Sequence, residues 1–422
     1  MGSEWREVRL GEFANEITVG HVGPMPPYVD GGIPFLRSQN VDRLRINDSD
    51  LKTIDSSSHD RLRKSALRPG DVVIVRTGRP GACAVIPPSL PVANCSDLVI
   101  IRCGRELDPW FLAYYINSAA LHGVSSQVVG AVQQHFNIGS ARDLTIRLPD
   151  LATQREVVEI LRALDDKIEL NRRMSQTLES MARVLFKSWF VDFDPVRSKS
   201  EGLDQALPSQ IADLFPASFE DSDIGPIPNG WGASTLSEMV EVNPSRTLSD
   251  GQLAPYLDMA NAPTTCHSPA GVVDRVFRSG SRFINGDTLV ARITPCLENG
   301  KASFVDFLPD GQVGWGSTEF LVLRPRSPLP PELAYCLARS EPFRENAIQN
   351  MSGTSGRQRV SADAISRYPL VRPPESVAVA FGSVAARLLG RAKLAHDESN
   401  TLSEQRDALL PRLISGKRAG AA

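Results

Sequence analysis

Apolar positions along this chain repeat with two different periods. From Gln154 to Phe190 there is neither proline nor glycine, and Val157, Leu161, Leu164 and Ile168 step by four, three and four. Polar Asn171 and Ser175 interrupt the stripe, and Leu178, Ala182, Leu185 and Trp189 resume it in the same register. That is a heptad seam with a polar break at its middle. At about 1.5 Å per residue the segment predicts a helix of roughly 55 Å, too long to be buried around its whole circumference, so its stripe needs a partner. Val377, Phe381, Val384, Leu388, Leu402 and Leu409 give a second seam, with Arg391 and Glu398 at its polar break. The two helices are expected to lie antiparallel with their polar middles facing each other. The alternative is that each packs on its own domain.

Strand signals precede each helix. Asp71-Val-Val-Ile-Val-Arg76 follows the turn residues Pro69-Gly70, and Leu98-Val-Ile-Ile101 is a second β-branched run. Pro109 to Ala120 then carries aromatic and apolar residues at helical spacing, with proline suited to the first turn.

This order occurs twice. Trp5, Leu10 and Glu12 match Trp231, Leu236 and Glu238, and Ile33-Pro34-Phe35-Leu36 matches Ala254-Pro255-Tyr256-Leu257. Gly70-Asp71 leading to Arg76 matches Gly286-Asp287 leading to Arg292, and Asp97 to Arg102 parallels Glu319 to Arg324. Leu107 and Pro109 parallel Leu329 and Pro331, and Thr177-Leu178 parallels Thr401-Leu402. The spacing drifts by about ten residues, as loop insertions between repeated elements would produce. The expected fold is α+β: two mixed α/β domains separated by a pair of long antiparallel coiled-coil helices, with an internal pseudo-two-fold repeat. The expected boundaries are 1–150 for the first globular domain and 151–192 for its helix. A connector at 193–230 holds Pro195, Pro208, Pro216, Pro226 and Pro228, with room for a helical turn at 211–214. The second globular domain spans 231–373 and the last helix 374–422.

Composition narrows the function. The chain has 422 residues, 41% hydrophobic and 23% charged, the profile of a soluble globular protein of two or three domains. No membrane span is visible and the first residues carry no apolar leader, so a cytoplasmic location is expected. The net charge of −3 does not advertise nucleic-acid binding in bulk, so any DNA contact must come from local basic patches or from partners. The six cysteines are scattered, with no Cys-x-x-Cys pair and no zinc-ligand spacing to histidine, and read as reduced structural residues.

No catalytic or metal set is recognisable. Asn299-Gly300-Lys301-Ala302 and Ser415-Gly416-Lys417-Arg418 lack the first glycine and the hydroxyl residue of a phosphate-cradling loop. Asp150, Asp165, Asp166 and Lys167 faintly resemble a nuclease set, but the last three sit within a helix, where neighbouring positions point in different directions. Asn243-Pro244-Ser245-Arg246 resembles an amino-methyltransferase motif without the aromatic residue that stacks on a flipped base.

The helix segments carry a family likeness. Gln154 to Asn171, followed by Leu185-Phe-Lys-Ser-Trp-Phe-Val-Asp-Phe-Asp-Pro195, resembles the central conserved region of type I restriction-modification specificity subunits. Leu409 to Lys417 resembles their C-terminal conserved region, and Gly130 to Ile138 leading to Pro149 resembles the close of their target-recognition domains. In the second half, Gly353 to Gln358 has a longer spacing than Gly130 to Gln133. The resemblance implies a DNA sequence-specificity subunit without catalysis of its own. Each domain would read one half of a bipartite double-stranded target, and the helices would set the gap. Two modification (methyltransferase) subunits would dock on the helices and restriction/translocase subunits would join them. S-adenosylmethionine, ATP and Mg2+ would belong to those partners. A stand-alone DNA-modifying enzyme and a coiled-coil scaffold without a DNA role are the alternatives.

Base edges are read by Arg, Lys, Asn and Gln, mostly from loops that end strands. The DNA-binding candidates in the first head are Arg37, Gln39, Arg76, Thr77, Arg79, Gln133, Gln134 and His135. In the second they are Arg292, Thr294, Lys301, Arg357, Gln358 and Arg359.

Overall fold

The computed structural model describes residues 5–77, 81–122, 136–203, 207–354 and 356–415. The chain divides into two compact units, residues 1–168 with 401–422, and residues 169–400. Each holds one globular head and a stretch of both long helices.

In the first head the strands Ala14–Val19, Leu98–Cys103, Val72–Val75 and Cys83–Val85 form an antiparallel sheet in that order. Its inner strands are buried on both faces. Val72 and Ile74 join Phe111, Leu112 and Tyr114 of the helix Pro109–His122 in one cluster. Val73 and Val75 join Leu36, Ala93 and Cys95 of a second sheet in another. A strand packed on both faces needs an unbroken apolar run, which is why no alternation shows in the sequence here. The second sheet pairs Tyr28–Leu36 in parallel with Ala93–Cys95, matching Leu36 to Cys95. A third pairing, Arg6–Arg9 with Thr145–Leu148, brings the two ends of the head together.

The second head repeats this element by element. Val240–Val242, Phe320–Pro325, Thr288–Ala291 and Ala302–Phe304 form the sheet in the same order. Leu253–Leu257 again runs parallel to Gly314–Gly316, and Gly232–Thr235 closes against Pro369–Arg372. The repeat extends to one turn. Gly70 and Gly286 have φ of +89° and +86°, a region glycine enters without penalty. The aspartate after each turns its carboxylate back onto the turn, accepting from the Arg68 amide at 3.1 Å and the Ile284 amide at 2.9 Å. Buried Asp71 and Asp287 are then met by Arg102 at 3.4 Å and Arg324 at 3.1 Å. A second arginine stands by each, Arg68 at 3.8 Å from Asp71 and Arg246 at 3.3 Å from Asp287, so each buried carboxylate sits among cations that offset its desolvation.

The long helices run from Leu151 to Phe190 and from Glu375 to Ser415. In the first unit Val157, Val158 and Leu161 share a buried cluster with Leu410 and Ile414, and Arg406 pairs with Asp165 at 2.7 Å. In the second unit Asn171 donates to Glu398 at 2.8 Å, and Ser175 donates to the carbonyl of Ala392 at 3.0 Å. Further along, Phe186, Trp189 and Phe190 surround Phe381 with ring centroids 6.0, 6.3 and 5.1 Å away. Rising numbers on one helix meet falling numbers on the other, so the pairing is antiparallel in each unit.

The second seam departs from its expected positions. Buried residues fall at Ala385, Leu389, Ala392 and Leu410, while Arg391 and Leu409 are exposed. The buried strip has moved one residue beyond 384, 388, 391 and 409. Val377 and Phe381 are buried as expected, and a step of four from Phe381 to Ala385, where the seam called for three, puts the alanines at 385 and 392 on the buried row. Glu398 meets the other helix's polar break as expected, and Arg391 does not.

The proline-rich connector is more structured than its composition suggested. The expected turn appears as Ser209–Ala212, and an unanticipated helix covers Asp194–Ser200. Phe215 meets Trp189 edge-on at 5.1 Å, and Phe193 meets Trp231 at 5.9 Å. Single aromatics among prolines have no periodicity to read, yet each such ring pair adds about 0.5–1.5 kcal/mol beyond area burial.

A buried polar network also ties the first long helix to the second head. The Glu179 carboxylate accepts from His267 Nδ1 and the His267 amide, both at 2.8 Å, and from the Tyr335 hydroxyl at 2.7 Å. His267 Nε2 lies 3.2 Å from Asp306. Burial pushes the imidazole pKa down, but the Asp306 and Glu179 carboxylates outweigh it and hold the value at about 9. Burial likewise opposes charge on Glu179, and His267 outweighs it, so that carboxyl stays below its ordinary range. Burial keeps His396 on the second long helix below its ordinary value, with the Asp397 and Asp306 carboxylates opposing it and His267 and Lys393 adding to it. A histidine with a raised folded pKa contributes its stability in full below its ordinary value near 6.5 and loses it as pH rises through about 9. Thermal unfolding of the second unit should therefore fall to lower temperature across that alkaline window. In His267→Asn this alkaline step should be absent, and a wild-type melting temperature flat through pH 9 would contradict the assignment.

Candidate nucleic-acid interface

The first head gathers its described candidates at two carboxylates. Arg37 ends the strand Tyr28–Leu36 and precedes a single 3-10 turn, Ser38–Asn40. Its Nη2 donates to the carbonyl of Asp50 at 2.6 Å and to Oδ2 at 3.0 Å, and Gln39 Nε2 donates to the same Oδ2 at 3.1 Å. Lys52 joins from the neighbouring strand. Its hydrogen bond and that of Arg37 hold the Asp50 carboxyl at about 2. Arg76 follows the strand Val72–Val75 and places Nη1 3.2 Å from Asp97, and the Thr77 hydroxyl donates to the other oxygen at 2.5 Å. The Ser38 hydroxyl reaches the Asp97 carbonyl at 3.5 Å, so the two clusters adjoin. Arg79, Gln133, Gln134 and His135 lie outside the described residues.

The second head gathers five of its six candidates. Thr294 and Gln358 are joined twice, through the Thr294 amide to the Gln358 carbonyl at 3.0 Å and through the Gln358 amide to Thr294 Oγ1 at 3.1 Å. Arg292 exchanges backbone bonds with Glu319 and Val360, both at 2.9 Å. Arg359 forks onto Glu319 through Nε, 3.0 Å from both oxygens, and Nη2 at 2.6 Å, while its Nη1 reaches the Arg357 carbonyl at 3.4 Å. Lys301 stands apart in use: its ammonium donates to the carbonyls of Met259 and Ala260 at 2.6 and 3.1 Å.

Arg37, Arg76 and Arg292 each keep a buried Nε with no hydrogen-bond partner. Desolvated donors of this kind are costly unless something else pairs with them. The carboxylates Asp50, Asp97 and Glu319, and the cation Lys52, were absent from the sequence candidates. A signal existed for two of them, since Asp97 and Glu319 stand at matching places in the repeat. Among the described residues no cluster of three His, Cys, Asp or Glu could hold a metal, and no helix is long and apolar enough to cross a membrane.

Two copies of one mixed α/β head, each followed by a long helix and each carrying arginine, threonine and glutamine near strand ends, make a duplicated two-headed fold. Residues 2–180 match the family described as the type I restriction modification DNA specificity domain. The type I restriction enzyme HindI specificity subunit of Haemophilus influenzae is 26% identical over 493 aligned positions, covering 98% of this chain and all of that protein. The EcoAI specificity subunit of Escherichia coli is 31% identical over 154 residues, covering 35% of this chain and 26% of that one. The crystal structure of the S subunit of a type I restriction-modification system from M. genitalium shares the fold, with a TM-score of 0.56, 13% identity, and coverage of 98% of this chain and 96% of that one. The chain is thus similar along its length to specificity subunits of type I restriction-modification systems, and its first 180 residues match their DNA specificity domain.

The use of Lys301 on two carbonyls gives a check on which candidates face DNA. Lys301→Ala should lower the stability of the second unit by about 1–2 kcal/mol in urea unfolding, from charge-assisted bonds lost, with DNA affinity unchanged. A tenfold weaker complex from a fully folded Lys301→Ala protein would place the ammonium on DNA instead.

Proposed function

We propose that this chain reads a two-part sequence in double-stranded DNA for a type I restriction-modification complex, one half with each head. The observation that carries this is the doubled head, in which Arg76 and Arg292 recur at matching places while the candidates around them differ: Arg37, Gln39 and Thr77 in one copy, and Thr294, Gln358 and Arg359 in the other. Side chains that differ on a shared scaffold imply half-sites of different sequence. Phosphate contacts position a protein and base contacts specify, so these strand-end residues carry the specificity and the surrounding arginines the register.

The long helices set the number of base pairs between the half-sites. They also dock two modification subunits, which bring the adenine methyltransferase and its S-adenosylmethionine. Restriction and translocase subunits bring ATP and magnesium chemistry. A groove of about 840 Å³ beside the first long helix supports the docking role. Met181 and Val184 line it and remain 52% and 63% exposed, so apolar surface is available there for a partner to cover. The near-neutral charge of the chain fits a subunit whose partners complete the positive surface around the duplex.

Exchanging residues 1–150 for the head of another specificity subunit should change one half-site and leave the other half-site and the spacing intact. Sequencing the methylated sites made by the assembled complex reads this directly. A change in both half-sites, or in neither, contradicts two independent readers.

A further inference from the structure

Asp97 and Glu319 occupy one place in the two copies. Each leads into the middle strand of its head, Leu98–Cys103 and Phe320–Pro325, and each lays its carboxylate against an arginine from another element. In the first head that arginine is Arg76, at 3.2 Å, and in the second it is Arg359, at 2.6 Å. All four side chains keep contact with solvent, between 22% and 42% exposed. Ion pairs at such exposure contribute little to stability, so stability is a poor reason for the recurrence. Asp97 moreover holds φ at +53°, a conformation uncommon outside glycine.

The geometry suits orientation. Glu319 takes Arg359 along the Nε and Nη2 edge, and the Arg357 carbonyl steadies Nη1. The outer Nη1–Nη2 end of the guanidinium is left, and its parallel N–H groups match the O6 and N7 acceptors of guanine. Asp97 holds Arg76 from the Nη1 side while the Thr77 hydroxyl occupies its second oxygen. A free arginine can satisfy itself on any phosphate. One clamped by a carboxylate cannot swing away without breaking the pair, and the carboxylate itself repels phosphate.

We propose that Asp97 and Glu319 are positioning residues for sequence reading, each aiming one arginine, Arg76 in the first head and Arg359 in the second, at a guanine in the major groove. This rests on the two-reader assignment above. It makes the heads differ in which element supplies the arginine while the element supplying the acid stays fixed.

The test uses the chain assembled with its modification subunits on a random DNA library, with methylated sites sequenced and thermal unfolding followed in parallel. Glu319→Gln should lower the preference for one guanine in one half-site about tenfold or more, leaving the other half-site as in wild type. Asp97→Asn should do the same in the opposite half-site. The charge-swapped pair, Glu319→Arg with Arg359→Glu, should keep a melting temperature near that of wild type, like the single variants, without recovering the guanine preference. If Arg359→Ala loses the guanine and Glu319→Gln keeps it, the positioning role is overturned and the two-reader assignment stands. If Arg359→Ala leaves every base preference intact, the reading surface is misplaced and the proposal falls with it. Recovery of the guanine preference by the swapped pair, or equal loss at both half-sites in Glu319→Gln, would reduce the acid to a structural role.

Discussion

An amphipathic helix of 40 residues cannot bury its apolar stripe alone, and the rest of this protein follows from how that stripe is covered. Each unit supplies its own cover. In one, Val157, Val158 and Leu161 lie with Leu410 and Ile414, and in the other, Ala182, Phe186 and Trp189 lie with Phe381 and Ala385. The same contacts carry the heads, because both clusters continue into head residues such as Phe111 and Tyr335. Duplication of a head plus helix thus solves a packing problem and yields two readers at once.

The polar groups on the helices specify where the apolar ones only attract. Leucines and alanines tolerate a sliding register, whereas Asn171 and Ser175 each have one partner position, at Glu398 and at the carbonyl of Ala392. A slip of one turn would leave buried Asn171 and Ser175 unpaired, at roughly 1–3 kcal/mol for each unsatisfied group. Glu179, His267 and Asp306 act in the same way between helix and head, since a buried charge is tolerated only beside its counter-charge.

Much of this was legible in the sequence wherever a short-range rule applied. The strand Val72–Val75, the helix beginning at Pro109 and the Gly-Asp turns at 70–71 and 286–287 are set by local residues and recur in order. The one-residue shift of the second seam was not legible, because Ala385 and Ala392 carry little apolar signal beside Val384 and Leu388. Nor was the docking of Phe215 on Trp189, or the pairing of Glu179 with His267, where partners lie far apart in the chain. The candidate arginines were accessible from loop position alone. Their carboxylate partners were not, although Asp97 and Glu319 were already aligned as framework, because a repeat shows that two positions correspond without showing what each one holds. The resulting picture is of candidate arginines held by the fold against carboxylates, Arg37 on Asp50, Arg76 on Asp97 and Arg359 on Glu319.

The most direct measurement is a footprint of the chain with its modification subunits on randomised duplex DNA. Two readers on a helix spacer predict two protected blocks of different sequence, separated by a constant unread gap. A single protected block, a gap of variable length, or protection independent of sequence would contradict the account.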